Sequence, residues 1–96
     1  MESQENIENK NDFVVEDQPI MQCAADALLM LGKLGKISIK AKGMFMPNAV
    51  SIANIITENF LKSNSKIEKI NLDSKISDVD GKMTSFIEII VSKNYL

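Results

Sequence analysis

The stretch Lys36-Ile37-Ser38-Ile39-Lys40-Ala41-Lys42-Gly43, followed by a short turn and Pro47, decides the fold. Its apolar residues alternate with lysines and a serine, which is the period of two of a half-buried strand. Pro47 predicts the first turn of a helix, because proline lacks the N–H that would be unpaired there and its φ is already helical. A row of ammonium groups therefore leads toward a helix N-terminus, where unpaired N–H groups and the helix dipole attract phosphate.

The composition predicts one globular domain without disulfides. The 96 residues are 45% hydrophobic and 25% charged, which is ordinary for a soluble domain. Histidine, arginine and tryptophan are absent, which removes the commonest general base, the commonest bidentate reader of bases and the best stacking platform. Cys23 has no second cysteine to pair with, and its alanine neighbours predict a buried structural residue. The sequence shows neither a signal peptide nor a membrane-spanning stretch, so we expect a cytoplasmic protein.

The acidic residues are concentrated at the start of the chain. Residues 1–17 contain six of the 13 acidic residues and one of the 11 lysines. The remaining chain is therefore mildly basic, much less so than a typical nucleic-acid-binding domain. Residues 1–11 have almost no apolar side chains and predict an acidic disordered tail, which leaves residues 12–96 as the folded domain.

The first half of the domain predicts a strand and a buried helix before the central strand. Phe13-Val14-Val15 reads as a short strand. A helix should open at Pro19, with Asp17 or Gln18 as its cap, and should be stopped by Gly32 and Gly35. Apolar residues cover most of the circumference of this helix, which indicates burial on more than one side.

The second half predicts another helix and a long hairpin. The helix starts near Pro47, and strands are expected at residues 66–75 and 83–93 around an Asp80-Gly81 turn. The last strand is apolar on both faces, so part of one face is expected to be sealed by a second subunit. The order β-α-β-α-β-β predicts an α/β domain in two layers.

Several short segments in this order resemble the Alba family of small dimeric nucleic-acid-binding proteins. The resemblance covers roughly residues 13–93. It implies a four-stranded mixed sheet packed on two helices, with no cofactor and no catalytic activity. The matching segments are Pro19-Ile20-Met21, Ile39-Lys40-Ala41-Lys42-Gly43, Ala49-Val50, Asn59-Phe60-Leu61 and Ile87-Glu88-Ile89.

The resemblance also implies how the protein would act. Two subunits would present their central strands and helix N-termini to the backbone of DNA or RNA, with the hairpins reaching into the minor groove and little sequence preference. Family members coat chromosomal DNA in archaea or join ribonucleoprotein particles. Phe60 and Leu61 would contribute to contacts within or between dimers. The positions implied to contact nucleic acid are Gln18, Lys40, Lys42, Asn48, Lys75 and Lys82.

The chain departs from the family at most of its basic positions. The usual Gly-Lys-Lys-Pro turn before the first helix is Glu16-Asp17-Gln18-Pro19 here, and Met44 and Asn48 replace basic residues after the central strand. The hairpin carries Asp73, Asp78 and Asp80 beside its lysines. Each phosphate that a cation neutralises contributes about −0.9 to the slope of log affinity against log salt. Because several such cations are missing from each subunit, the affinity for nucleic acid at physiological salt should be lower by orders of magnitude.

These departures leave two functions open. The first is a largely sequence-independent DNA- or RNA-binding dimer of chromatin or ribonucleoprotein. The alternative is a protein-interaction subunit that pairs with a more basic Alba-type chain and modulates how that chain coats DNA. The loop Met44-Phe45-Met46 either folds onto the core or forms an apolar patch for a base, a groove or a partner. An enzyme is disfavoured, because the chain has no histidine, phosphate-binding glycine loop or metal-ligand cluster.

Overall fold

The computed structural model describes residues 10–94, which form a four-stranded sheet packed on two helices. The strand order is β1-β2-β4-β3, with β1 parallel to β2 and the other pairs antiparallel. The predicted order of elements and the mixed sheet are both confirmed. The elements are β1 (Asp12–Val14), α1 (Ile20–Leu34), β2 (Lys36–Lys42), α2 (Met46–Ile55), β3 (Ser65–Ile76) and β4 (Met83–Lys93).

The core lies between the helices and one face of β2 and β4. In the antiparallel register, Ile37 pairs with Val91 and Ile39 with Ile89, and all four side chains are buried. The alternation predicted for β2 is therefore confirmed. Burying each such side chain contributes about 1.5–3 kcal/mol. The helices add small residues, which let them approach the sheet, and larger ones that fill the space; these residues are Cys23, Ala24, Ala27, Leu31, Ala49, Ile52, Ala53 and Ile56.

The ends of α1 differ from the prediction. Pro19 itself occupies the N-cap position, and no side chain caps the helix. The prediction of Asp17 or Gln18 as the cap was wrong, because the Gln18 side-chain oxygen instead accepts a hydrogen bond from the Glu16 N–H. Gly32 lies inside the helix. The chain leaves α1 at Gly35, whose φ of 82° lies in the left-handed region and whose N–H donates to the Leu31 carbonyl.

Both ends of α2 have irregular turns. A 3₁₀ turn, Gly43–Phe45, connects β2 to α2, and Pro47 lies in the first helical turn as predicted. At the other end the chain widens into a π turn, Ile56–Phe60, where the Leu61 N–H donates to the Ile56 carbonyl. This turn leaves Phe60 partly exposed at the end of α2.

The hairpin of β3 and β4 is the longest feature of the fold. Its strands match the predicted ranges closely, and the register shifts once, between Ile67 and Lys69. At the other edge of the sheet, pairing with β2 begins at Asn11, whose side-chain amide donates to the Lys36 carbonyl and whose carbonyl accepts from the Ser38 N–H. Most of the predicted tail, residues 1–9, lies outside the described residues.

Candidate nucleic-acid interface

An open groove of about 640 Å³ lies between the body of the domain and its hairpin. The end of β1, the end of β2 and Phe45 line one side, and β3 and β4 line the other. Among residues 10–94, the groove lining contains three lysines, all of them predicted site residues, and four carboxylates. The lysines are Lys40, Lys42 and Lys75, and the carboxylates belong to Asp12, Glu16, Asp73 and Glu88. The formal charge of the lining is therefore slightly negative.

Lys40 is held by a neighbouring carboxylate. Its Nζ lies 3.0 Å from Oδ2 of Asp12, within hydrogen-bond distance. The Asp12 side chain is 3% exposed and that of Lys40 is 38% exposed. A carboxylate this well shielded from water is stabilised by an adjacent cation. Lys40 therefore serves the folded domain as well as facing the groove.

Lys42 is the more available of the two central lysines. It is the last residue of β2, it is exposed, and it forms no ion pair with any other residue in the range 10–94. Gly43 follows with a φ of 56°, a left-handed conformation that turns the chain into the 3₁₀ turn before α2. Lys42 thus precedes α2 by one 3₁₀ turn.

The two predicted hairpin lysines have different positions. Lys75 lies in the groove, with its Nζ 5.8 Å from the centre of the Phe86 ring, in the range of a cation–π contact. Lys82 is exposed at the hairpin tip and does not line the groove. The tip turn is closed by a hydrogen bond from the Lys82 backbone N–H to the Asp80 carboxylate, 3.0 Å long.

Gln18 and Asn48 hold the turn between β1 and α1. The side-chain oxygen of Gln18 accepts from the Glu16 N–H at 3.0 Å, and Nδ2 of Asn48 lies 3.5 Å from the Glu16 carbonyl oxygen. Their amides thus connect this turn to the first turn of α2. Glu16 and Asp17 are exposed and present negative charge at this turn.

A further acidic residue on the outer sheet face has a partner that sequence reasoning missed. Glu68 accepts from Lys36, whose Nζ lies 3.1 Å away. Hydrogen bonds from Ser92 and Lys36 lower the pKa of Glu68 below its ordinary value. In the neighbouring row, Asn71 donates to Oε1 of Glu88 at 2.9 Å. Polar side chains on the outer face of the sheet therefore form hydrogen bonds with one another.

The opposite face of the hairpin is apolar and uncovered. Ile70 and Leu72 pair with Ile89 and Ile87, which are buried under the helices, so they point to the helix side of the sheet. Leu72 is nevertheless 69% exposed, so the helices leave this part of β3 largely uncovered. The exposed apolar stripe comprises Ile70, Leu72, Ile76 and Met83.

In the loop after the central strand, two of the three apolar side chains fold onto the core and one is exposed. Phe45 and Met46 are half-buried and pack against the core, whereas Met44 is 82% exposed. Phe60 and Leu61, the predicted intersubunit contacts, lie at the end of α2, with Phe60 exposed and Leu61 half-buried against the core. A partner that contacts these two residues would therefore bind at the C-terminal end of α2, away from its start.

Other kinds of site have little support in the described chain. Within residues 10–94, no group of histidine, cysteine, aspartate or glutamate side chains could hold a metal ion, and no helix is long and apolar enough to cross a membrane. Cys23 is buried as predicted. Burial, followed by the nearby charge of Asp26, raises the pKa of its thiol above the ordinary value.

Comparison with known proteins gives consistent results in sequence and structure. The family model described as Alba matches residues 11–74. A protein of Nitrosopumilus maritimus (strain SCM1), named "DNA/RNA-binding protein Alba", is 28% identical over 90 residues, which cover 91% of this chain and 95% of that protein. The structure of Alba from Thermoplasma volcanium superposes with a TM-score of 0.74 at 30% identity, covering 85% of this chain and 99% of the other. ALBA1 from Trypanosoma brucei shares the fold, with a TM-score of 0.71 at 18% identity over 91% of this chain and 73% of the other.

Proposed function

This chain belongs to the Alba family, and from that premise we propose that it is a non-catalytic protein that binds DNA or RNA as a dimer. It would contact the phosphate backbone with little sequence preference, because it has no arginine to read base edges in bidentate fashion. Its place would be in the cytoplasm, on the chromosome or in ribonucleoprotein particles.

The observation that carries the proposal is the position of Lys42. Lys42 is exposed, lines the groove and precedes α2 by one 3₁₀ turn, and it has no ion pair within residues 10–94. A phosphate at this point would meet an ammonium group that no ion pair within residues 10–94 engages. Lys75 and Lys82 would extend the contact along the hairpin, while Gln18 and Asn48 would support the turn beside it. Lys40 would contribute less, because Asp12 shares its charge.

The dimer in this proposal rests on the apolar hairpin stripe. Contiguous exposed apolar surface of this kind is typical of a protein–protein interface. A second copy of the chain, or a more basic Alba-type subunit, would cover it. Phe60 and Leu61, at the far end of α2, would contribute to contacts within or between dimers. Changing Leu72 to lysine should convert the dimer to a monomer in sedimentation equilibrium, whereas the same change at exposed Asn54 should not.

The alternative is a subunit that modulates a basic partner. The excess of carboxylates in the groove and the acidic pair Glu16 and Asp17 favour it. In that case the chain would bind nucleic acid weakly by itself and would act by pairing with a more basic Alba-type chain. Native mass spectrometry of an equimolar mixture would then show heterodimers in preference to self-dimers.

Fluorescence anisotropy with duplex DNA and with structured RNA, at 50–200 mM salt, tests the leading proposal. Binding should weaken steeply as salt rises, and Lys42→Ala should reduce the salt slope by about 0.9 for each phosphate contact removed. The loss of affinity caused by Lys42→Ala should be equal for nucleic acids of unrelated sequence. Lys33→Ala is the matched control, since Lys33 is exposed in the last turn of α1 and outside the groove.

Two results would contradict the proposal. The first is Lys42→Ala binding as tightly as the unchanged protein at every salt concentration. The second is no binding of either nucleic acid at low salt, which would favour the partner-subunit alternative and direct the next experiment to the mixture with a basic chain.

A further inference from the structure

We infer that Asp12 is an internal competitor of phosphate for Lys40, and that it sets the affinity of the proposed interface. The inference rests on the proposed function, since it concerns how strongly the same groove attracts a nucleic-acid backbone. It assigns a specific role to an acidic residue of β1.

The first support is geometric. β1 runs parallel to β2, with Asp12 opposite Ser38 and Val14 opposite Lys40. Asp12 and Lys40 are therefore diagonal neighbours on the outer face of the sheet, a separation that a long side chain can span. The Lys40 ammonium reaches the Asp12 carboxylate at 3.0 Å.

The pair is held in place from both ends of β1. The Asn11 carbonyl accepts from the Ser38 N–H, and the Val15 N–H donates to the Lys40 carbonyl, each at 2.8 Å. With the residues before and after it bonded to β2, Asp12 cannot move away from Lys40 without breaking strand pairing. The ion pair is thus a fixed part of the sheet edge.

The second support is burial. Asp12 is 3% exposed, whereas Lys40 is 38% exposed. If Lys40 turned fully toward a phosphate, a carboxylate shielded from water would lose its ion pair with Lys40, which is unfavourable. Lys40 can instead offer only its remaining N–H groups to phosphate, and the Asp12 charge beside it cancels most of the attraction.

The carboxylate on the other side of Lys40 has a different partner. Glu88 lies directly opposite Lys40 on β4 and accepts a hydrogen bond from Asn71. Glu16 lines the same groove from the turn after β1. Of these three carboxylates, only Asp12 is in an ion pair with Lys40, so removing its charge is the change that would release this lysine.

The test is Asp12→Asn, which keeps the shape of the side chain and removes its charge. Duplex binding should become about two- to five-fold tighter at low salt, the range expected from losing one exposed or partly exposed ion-pair interaction. The salt slope should become steeper by up to about 0.9 per chain, as one more cation becomes available to phosphate. A thermal melt of each variant verifies that the fold is retained.

Glu68→Gln is the matched control, because it also removes one negative charge from an ion pair with a β2 lysine. Lys36 lies four residues before Lys40, about 13 Å along the strand, so this control is compared with Asp12→Asn at 0.1 M salt and above, where the Debye length is about 10 Å or less. This change should leave affinity within about twofold. The double variant Asp12→Asn with Lys40→Gln, which removes both charges, should likewise bind within about twofold of the unchanged protein.

The outcomes separate the inference from the proposed function. Binding by the unchanged protein that becomes tighter in Asp12→Asn but not in Glu68→Gln supports the inference. Equal affinity of the unchanged protein and Asp12→Asn overturns the inference alone. A tenfold loss in the double variant also overturns it, since Lys40 would then contact phosphate in spite of Asp12. No binding by any of these proteins overturns the proposed function and the inference together.

Discussion

Replacing Glu16 and Asp17 with lysine should convert this protein into a strong nucleic-acid binder. Both side chains are exposed, and Glu16 lines the groove. The substitutions leave the turn intact, because the hydrogen bonds that hold it use the Glu16 backbone N–H and carbonyl together with the side chains of Gln18 and Asn48. The double variant therefore changes the charge of the turn while its backbone contacts remain.

The magnitude follows from counterion release. Two new lysines per chain make four per proposed dimer, and each phosphate contact steepens the salt slope by about 0.9, so the slope should change by about 3.6. At 50 mM salt the variant should bind much more tightly than the unchanged protein. Between 50 and 200 mM salt, its advantage should shrink by roughly a hundredfold if all four lysines meet phosphate.

Fluorescence anisotropy across this salt range measures both the affinity and the slope. The control is Asp26→Lys with Glu58→Lys, which makes the same charge change at exposed helical positions outside the groove. The reasoning is refuted if this control and the Glu16 and Asp17 variant show the same salt slope. In that case net charge alone would govern binding, and the groove would have no special role.

Three further predictions concern stability and reactivity. Because Cys23 is buried and the pKa of its thiol is raised, the thiol should react with alkylating reagents only at the rate at which the protein unfolds. If the native protein were labelled as fast as the denatured chain, that result would contradict the burial of Cys23. The lowered pKa of Glu68 stabilises the fold above its unfolded pKa of about 4.3, and this stabilisation is lost as the pH falls through the lower folded value. Urea unfolding of Glu68→Gln should accordingly show a deficit at pH 7 that disappears in acid, and a deficit independent of pH would disprove this origin. Ile52→Ala should lower the free energy of unfolding by about 2–5 kcal/mol, since the side chain is fully buried, while Asn54→Ala on the exposed side of α2 should change it by less than about 0.5 kcal/mol.

The fold could be predicted from local patterns, because its strongest signals are local. The alternation in β2 and the Asp80-Gly81 turn each depend on neighbouring residues, and the structure confirms the elements predicted from them. Gly32 shows where such reasoning fails. A glycine inside a helix costs only about 1 kcal/mol relative to alanine, and the packing of α1 against the core outweighs that cost.

The candidate site could be predicted only in part. Lys40 and Lys42 have the same spacing and the same side chain, so no local pattern separates them. The difference arises from the register of β1 on β2, which brings Asp12 to Lys40 across 28 positions of sequence. The apolar run Phe13-Val14-Val15 predicts a strand here, but strand register is a tertiary property. For the same reason, the Lys36 and Glu68 pair could not be predicted.

The strand order has a consequence for the way the chain folds. β4 leaves the ribosome after the other three strands of this sheet, yet it lies between β2 and β3 and pairs with both. Until it emerges, β2 has only the three-residue β1 beside it, and β3 has no neighbour in the sheet. Nascent chains that end before β4 therefore expose two unpaired strand edges, which are aggregation-prone while synthesis continues. Assembly of the sheet is consequently a late and cooperative event, triggered by the arrival of a single segment.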